Sequence, residues 1–509
     1  MRTSGESMNA HPTSWRALAR LRQQIDDAEP RHLRRWTSAL VFLALWGLIT
    51  HGNSAGTGDE PHYLMIAHSL VFDRDFDLAN NYADPTNLVA DGSLQPERHA
   101  IPGRDGILRS VHDVGMPAAF APCFGAAYFV AEKVTPLLPA GLLRRAKLKP
   151  ALMLRHLMSF GMMALASLLA ALLFDAFLEI SGRKALALAW ALLIALSPPL
   201  LSHSFLFFTE VPSALGGFLL WRALDRAPRS RLWPALYGLL IGALLLIHVR
   251  NVGLVAALLV LAAMALRERR DGRGVLLLAG GFALALGLRT WITYTFWGSL
   301  LTTPHAAPAA WRGLGATLGE AASRLLALSF DQEHGLLTFG PIHLLLLAGV
   351  IVVWREGRGT ALRTILPVGA YLVFVALPMT NVHGWRGGWS PAARFLVPIM
   401  PWVALLGFRA VAALPRWPLG LRALVAVQCA LNAYLWQHPR LLWNNGDGTS
   451  ELLARFSIGS WKVAEWVPSW ETFTPTDAVR VGVLVALWVA GAVAVAHRSR
   501  SGGVGAGPA

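Results

Sequence analysis

Apolar runs of membrane-spanning length recur along this chain, separated by polar connectors. The first occupies 36–50. Others lie at 152–178, 185–201, 206–224, 232–248, 251–266, 274–296, 336–354, 364–380, 394–413, 420–436 and 478–496. About 20 apolar residues suit a helix crossing a hydrocarbon layer of about 30 Å. The pattern therefore predicts an all-α polytopic membrane protein with about twelve transmembrane helices. A polar segment, 53–109, follows the first run and is too long for a simple connector. Within it the pattern predicts an amphipathic helix over 61–72, with Tyr63, Ile66, Ala67 and Leu70 on one side. Loop-forming residues follow, among them Asp73, Asp75, Asp77, Asn80 and Asn81. The apolar stretch 116–138 is broken by Pro117, Pro122 and Glu132. It suits either a span or a helix lying on the membrane surface.

Charge orients the runs. Arg31, Arg34 and Arg35 precede the first run, and basic connectors lie at 183–184, 226–231, 267–273, 355–363, 416–422 and 498–500. They alternate with connectors richer in Trp, His and Asn. Basic connectors mark the cytoplasmic side, so both termini are expected there. For all six to share that side, 116–138 cannot cross and is read as an outer-surface helix. Arg144, Arg145, Lys147 and Lys149 then form an outer-face cluster able to meet phosphate or anionic head groups.

Composition agrees with this pattern. The chain has 509 residues, 54% hydrophobic and 15% charged. Its mean hydropathy is +0.46. The net charge of +15 is concentrated in short connectors, which accounts for it without a nucleic-acid partner. Cys123 and Cys429 lie far apart in apolar stretches, against a disulfide framework or a zinc motif. No Walker or dinucleotide fingerprint is present, and no cleavage site precedes the first run.

The candidate chemistry lies in the outer connectors. Gly58-Asp59-Glu60-Pro61-His62-Tyr63 follows the first run. Charge at the mouth of a span is costly and is usually kept for a use. Asp59 suits a general base, with Glu60 as its partner. The same pair also suits a cap on the helix that Pro61 opens. Ser202, His203, Ser204, Thr209 and Glu210 belong to a second outer connector. His248, Arg250 and Asn251 interrupt the apolar run 235–266. Arg250 could grip a phosphate or snorkel at a span end. The connector 381–394 is the richest. It holds His383, Trp385, Arg386, Gly387, Gly388, Trp389 and Arg394. Its tryptophans offer faces for a sugar ring, its glycines allow close backbone approach, and its arginines suit phosphate. An aromatic belt with anchoring arginines is the competing reading. Asp331-Gln332-Glu333-His334 could suggest metal ligands, but adjacent residues converge poorly on one ion.

On these residues the chain resembles the GT-C superfamily of integral-membrane glycosyltransferases. The likeness is to its branch of protein O-mannosyltransferases and lipid A aminoarabinose transferases. It is carried by Asp59-Glu60 ahead of Tyr63, and by His112 before Pro117. It is also carried by Tyr294-Thr295-Phe296-Trp297-Gly298-Ser299-Leu300-Leu301-Thr302, and by Gly387-Gly388-Trp389-Ser390-Pro391 with Arg394, Pro398 and Pro401. The resemblance covers most of 36–415 and implies a GT-C-like fold. It implies a polyprenyl-phosphate sugar donor taken from the outer leaflet. It also implies inverting transfer to a lipid, glycan or protein acceptor, with Asp59 as base. His112 stands roughly where the family has a phosphate-contacting lysine, although histidine is only partly charged near pH 7. Arg250, Arg386 and Arg394 are the phosphate contacts argued from chemistry. Tyr63, Asn81, His383, Trp385 and Trp389 are the candidates for sugar or acceptor. Metal use varies in the superfamily, so no cofactor is assigned and a divalent ion stays open.

The organisation expected is a cytoplasmic tail over 1–35 and a GT-C-like catalytic module over 36–415, whose first outer loop is 53–150. C-terminal spans follow over 416–497 with an outer loop at 437–477, and a tail over 498–509. The location expected is the inner (plasma) membrane, with the active site facing the periplasm or exterior. The alternative is a flippase or transporter for lipid-linked sugars. That function calls for internal repeats and mid-membrane polar residues, neither of which stands out here.

Overall fold

The structure, a computed structural model, describes residues 12–51, 58–224, 230–300, 304, 313–377 and 384–499. It is mostly helical. Seven described helices are long and apolar enough to cross a membrane: Pro150–Ser181, Val249–Glu268, Gly272–Trp297, Arg358–Ala376, Arg394–Ala412, Leu419–Gln437 and Pro475–Arg498. Two shorter apolar helices, Lys184–Ala195 and Trp233–Ile247, join them. The chain is a polytopic membrane protein.

Arg394–Ala412 is the most enclosed of these helices. It packs among Pro150–Ser181, Glu210–Ala223, Leu345–Glu356 and Arg358–Ala376. Trp402 and Phe408 are fully buried on it. Small residues allow close helix pairing where lipid offers no hydrophobic drive. A Cβ on Gly238 would collide with the backbone at Leu278, and one on Gly281 with that at Ala235. Trp233–Ile247 and Gly272–Trp297 consequently lie backbone to backbone.

Several runs read as continuous are interrupted. The run 206–224 is helical only over Glu210–Ala223, about 21 Å at 1.5 Å per residue. The run 336–354 divides into Leu336–Phe339, Pro341–Leu344 and Leu345–Glu356, with Gly340-Pro341 at the break. The first run lies in a longer helix, Pro30–His51, preceded by another over Pro12–Asp27. The stretch 297–333, which lies between two of the apolar runs, contains the helix Leu314–Phe330. Its Ala321, Arg324 and Leu328 are buried at helical spacing.

Two faces emerge from the connections. Lys184 Nζ donates to the carbonyls of Asp26 and Ala28 at 2.7 and 2.8 Å. Arg222 pairs with Glu179, Trp221 donates to the Arg363 carbonyl at 2.9 Å, and Arg355 donates to the Ala496 carbonyl. The connectors at 183–184 and 355–363 thus lie beside the two described ends of the chain. From that face Pro150–Ser181 carries the chain about 48 Å back to residue 150. Residue 150 therefore stands on the opposite face, where the span Val249–Glu268 begins and Gly272–Trp297 ends. The segment 115–149 leaves from and returns to this second face.

The first loop is more ordered than a connector. The helix expected over 61–72 forms over Glu60–His68 and widens into a π-turn over Ser69–Asp73. It is not amphipathic, since all nine residues Glu60 to His68 are buried. A hairpin pairs Ala100–Pro102 with Leu108–Ser110. It docks on the end of Gly272–Trp297: Arg104 N–H donates to the Phe296 carbonyl at 2.8 Å, and Arg109 covers the Phe296 ring at 4.4 Å. His99 and His112 flank this hairpin, so its docking sets their position.

Candidate functional site

Asp59 occupies the cap position of Glu60–His68, yet its side chain makes no capping hydrogen bond. Its Oδ2 lies 2.7 Å from the Arg394 guanidinium, and its Oδ1 lies 3.7 Å from His99 Nδ1. Gly58 makes this placement possible. It adopts φ +49°, and a Cβ there would meet the Trp389 carbonyl oxygen at 2.8 Å. Glu60 does something different. Its carboxylate accepts from the Phe207 N–H at 2.8 Å, holding the helix start against the segment before Glu210.

Arg394 follows Ala393, whose N–H donates to the His334 carbonyl at 3.0 Å. All three guanidinium nitrogens are engaged. Nε donates to Glu210 Oε1 at 2.7 Å, Nη1 to the Gly387 carbonyl at 3.0 Å, and Nη2 meets Asp59. The Phe208 ring lies 4.2 Å from the group. Arg250 Nη1 lies 3.5 Å from the same Glu210 oxygen, and Arg250 stacks on Phe395 at 3.5 Å. Two acids and two arginines from four regions of the chain thus form one buried network.

A histidine group flanks it. His99 Nδ1 and His112 Nε2 are 3.0 Å apart, and the rings of His62 and His99 stack at 3.9 Å. His62 Nδ1 bonds the Tyr82 hydroxyl at 2.7 Å. The buried Tyr63 ring lies 4.9 Å from His112. Beside His112, Asp113 accepts from the Val249 N–H at 2.8 Å and lies 3.7 Å from Arg289. The histidine loop is thereby tied to the turn that carries Arg250.

The electrostatics follow from the packing. Burial opposes ionisation of Asp59, but Arg394, His112 and His99 outweigh it and hold the carboxyl well below the usual range. Burial, with His99 and His112 nearby, lowers His62 to about 3. Burial also lowers His99, although Asp59 pulls it back upward. Asp59, His99 and His112 each bring one ligand atom within 4.8 Å of the others. This donor set could hold a divalent ion, which would share Asp59 with Arg394.

The structure brings together Asp59, Tyr63, His112, Arg250 and Arg394. It does not bring in the others. Arg386 pairs with Glu471 and lies 5.5 Å from the Trp385 ring. Trp385 is buried against His334 at 5.8 Å. Trp389 is 69% exposed, and only its backbone touches the Asp59 turn. Asn81 donates to Asp73 at 2.6 Å and meets His68 at 3.0 Å, joining parts of the first loop to one another. His383 lies outside the described residues. From the sequence Glu210 was named only as part of an outer connector, and His99 and His62 were given no role. Glu210 begins an apolar run just as Asp59 follows one, so the same charge argument applies to it. No local pattern marks the two histidines.

No family model matches the chain, and no curated protein matches it in sequence.

Proposed function

We propose that the chain is a GT-C-like membrane glycosyltransferase with about twelve crossings. It moves a sugar from a polyprenyl-phosphate donor to a lipid, glycan or protein acceptor at the outer face of the plasma membrane. The observation that supports this best is the position of Asp59. It heads a helix without capping it and turns to Arg394, which shares Glu210 with Arg250. Buried charge networks are costly to assemble, and this one keeps two accessible members, Asp59 and Arg250, with side chains 19% and 18% exposed.

The chemistry follows from the residues. The acceptor oxygen attacks the anomeric carbon and forms the new glycosidic bond. Its proton passes to the Asp59 carboxylate. The bond from that carbon to the phosphate oxygen breaks, and its electron pair leaves on the phosphate. Arg394 and Arg250 neutralise that charge. Holding the two substrates in line supplies the remainder.

The test is to supply labelled polyprenyl-phosphate sugars to membranes with and without the protein, and to analyse glycolipids and glycoproteins by mass spectrometry. A labelled product that depends on the protein supports the reading. Donors that cross the bilayer without transfer would support the transporter instead.

A further inference from the structure

We propose that the substrate's phosphoryl group and the Asp59 carboxylate compete for the same edge of Arg394, so that donor binding releases Asp59 for chemistry. This exchange rests on the reading of the site as a transferase for a lipid-phosphate donor. Arg394 is 4% exposed and each of its three guanidinium nitrogens already has a partner, so a phosphate gains an edge of it where one of those partners yields.

Two of the partners are fixed. Glu210 is 1% exposed and begins the helix Glu210–Ala223. Its Oε1 also serves Arg250. The Gly387 carbonyl is backbone, in a turn at φ +86° whose carbonyl also receives the Ser390 hydroxyl at 3.2 Å. Asp59 is the partner most open to solvent, with no capping bond tying its carboxylate to its own helix. Rotation of that side chain would vacate Arg394 Nη2 and leave the backbone in place.

Charge balance points the same way. Asp59 and Glu210 already match Arg250 and Arg394. An added anion beside all four would set like charges within a few ångströms of each other in a poorly screened site. An anion that takes the place of Asp59 keeps the arginines matched. Arg250, 18% exposed and held by Glu210 and Phe395, supplies the second cation. Glu210 is then a positioning residue. It holds two mutually repelling guanidinium groups side by side for one phosphoryl group. The displaced carboxylate is left beside the acceptor without its arginine.

The exchange predicts that removing the proposed base tightens donor binding. The full chain in lipid nanodiscs would be titrated calorimetrically with farnesyl phosphate and, separately, with inorganic phosphate. Asp59→Asn and Asp59→Ser should each bind farnesyl phosphate about tenfold more tightly than the wild type, the worth of one charge-assisted hydrogen bond. Glu210→Gln should bind it about tenfold more weakly. The same gains with inorganic phosphate would support recognition of the phosphoryl group alone. Gains confined to farnesyl phosphate would support recognition of the lipid-linked form. Unchanged or weaker binding in both Asp59 variants, with folding verified by thermal unfolding, would overturn the exchange and leave the transferase reading standing. Binding of neither probe to any form would overturn that reading and the exchange with it.

Discussion

Asp59 Oδ2 lies 2.7 Å from the Arg394 guanidinium, although the two residues come from the first loop and from the start of a late, central helix. Arg394 also binds Glu210, so one buried cation holds together three regions of the chain.

Arg394→Ala is therefore expected to be among the most damaging single changes. It leaves Glu210 buried without its strongest partner and Asp59 with only the longer contact to His99, at a cost of about 3–5 kcal/mol. Thermal unfolding in detergent checks this. Arg394→Lys keeps the charge but cannot reproduce three donors in a planar fork. It should fold better than the alanine variant and still lose about 100-fold in transfer. A lysine variant with wild-type turnover would remove Arg394 from the site.

Glu60 separates from Asp59 in its expected effects. Its carboxylate accepts from the Phe207 N–H, a bond that an amide oxygen can also accept. Glu60→Gln should keep most of the transfer activity, within about fivefold, while Glu60→Ala should lose about 1–3 kcal/mol of stability. Loss of turnover in Glu60→Gln at unchanged stability would return Glu60 to the chemistry.

The sequence made Asp59, Arg250 and Arg394 legible because each places charge at the edge of an apolar run, where charge is conspicuous. Glu210 was visible by the same logic but lay in a connector with several other polar residues. His99 is different. It acquires meaning only when the hairpin Ala100–Pro102 and Leu108–Ser110 folds it onto His112, and no period in the sequence encodes that pairing. Arg386 looked equivalent to Arg394 from its neighbours. Its partner, Glu471, lies in a distant loop. The helices were legible from hydropathy, but their breaks at Gly340-Pro341 and before Glu210 were not, because Phe205, Leu206, Phe207 and Phe208 are as apolar as a span. The helix Leu314–Phe330 did carry an amphipathic pattern, between two of the apolar runs.

Sidedness can be measured. The segment 115–149 begins and ends on the face that carries Asp59. With Cys123 and Cys429, both exposed, first replaced by Ser, cysteines at Ser93 and Arg145 should react with an impermeant reagent from one side of the membrane. A cysteine at Glu268 should react from the other. Labelling at Arg145 together with Glu268 would mean that 115–149 crosses.

Acid should loosen the fold through buried imidazoles. Burial lowers His62 to about 3, and burial with Arg386 nearby lowers His334 to about 4. The unfolded chain takes up these protons near 6.5. Both groups therefore contribute their full stability above about pH 6.5 and lose it as the pH falls toward their folded values. The melting temperature should fall between pH 7 and pH 4.5, and His334→Gln should flatten part of that fall. An unchanged slope in the variant would show that His334 is not among the groups responsible.

The most direct measurement compares Asp59→Asn with the wild type at equal protein level and equal melting temperature, using labelled polyprenyl-phosphate sugars. Asparagine keeps the shape of the side chain and removes its capacity to take a proton. The predicted result is a loss of transfer of about 100- to 10,000-fold, with donor still bound. Transfer at the wild-type rate would contradict the assignment of Asp59 as the base.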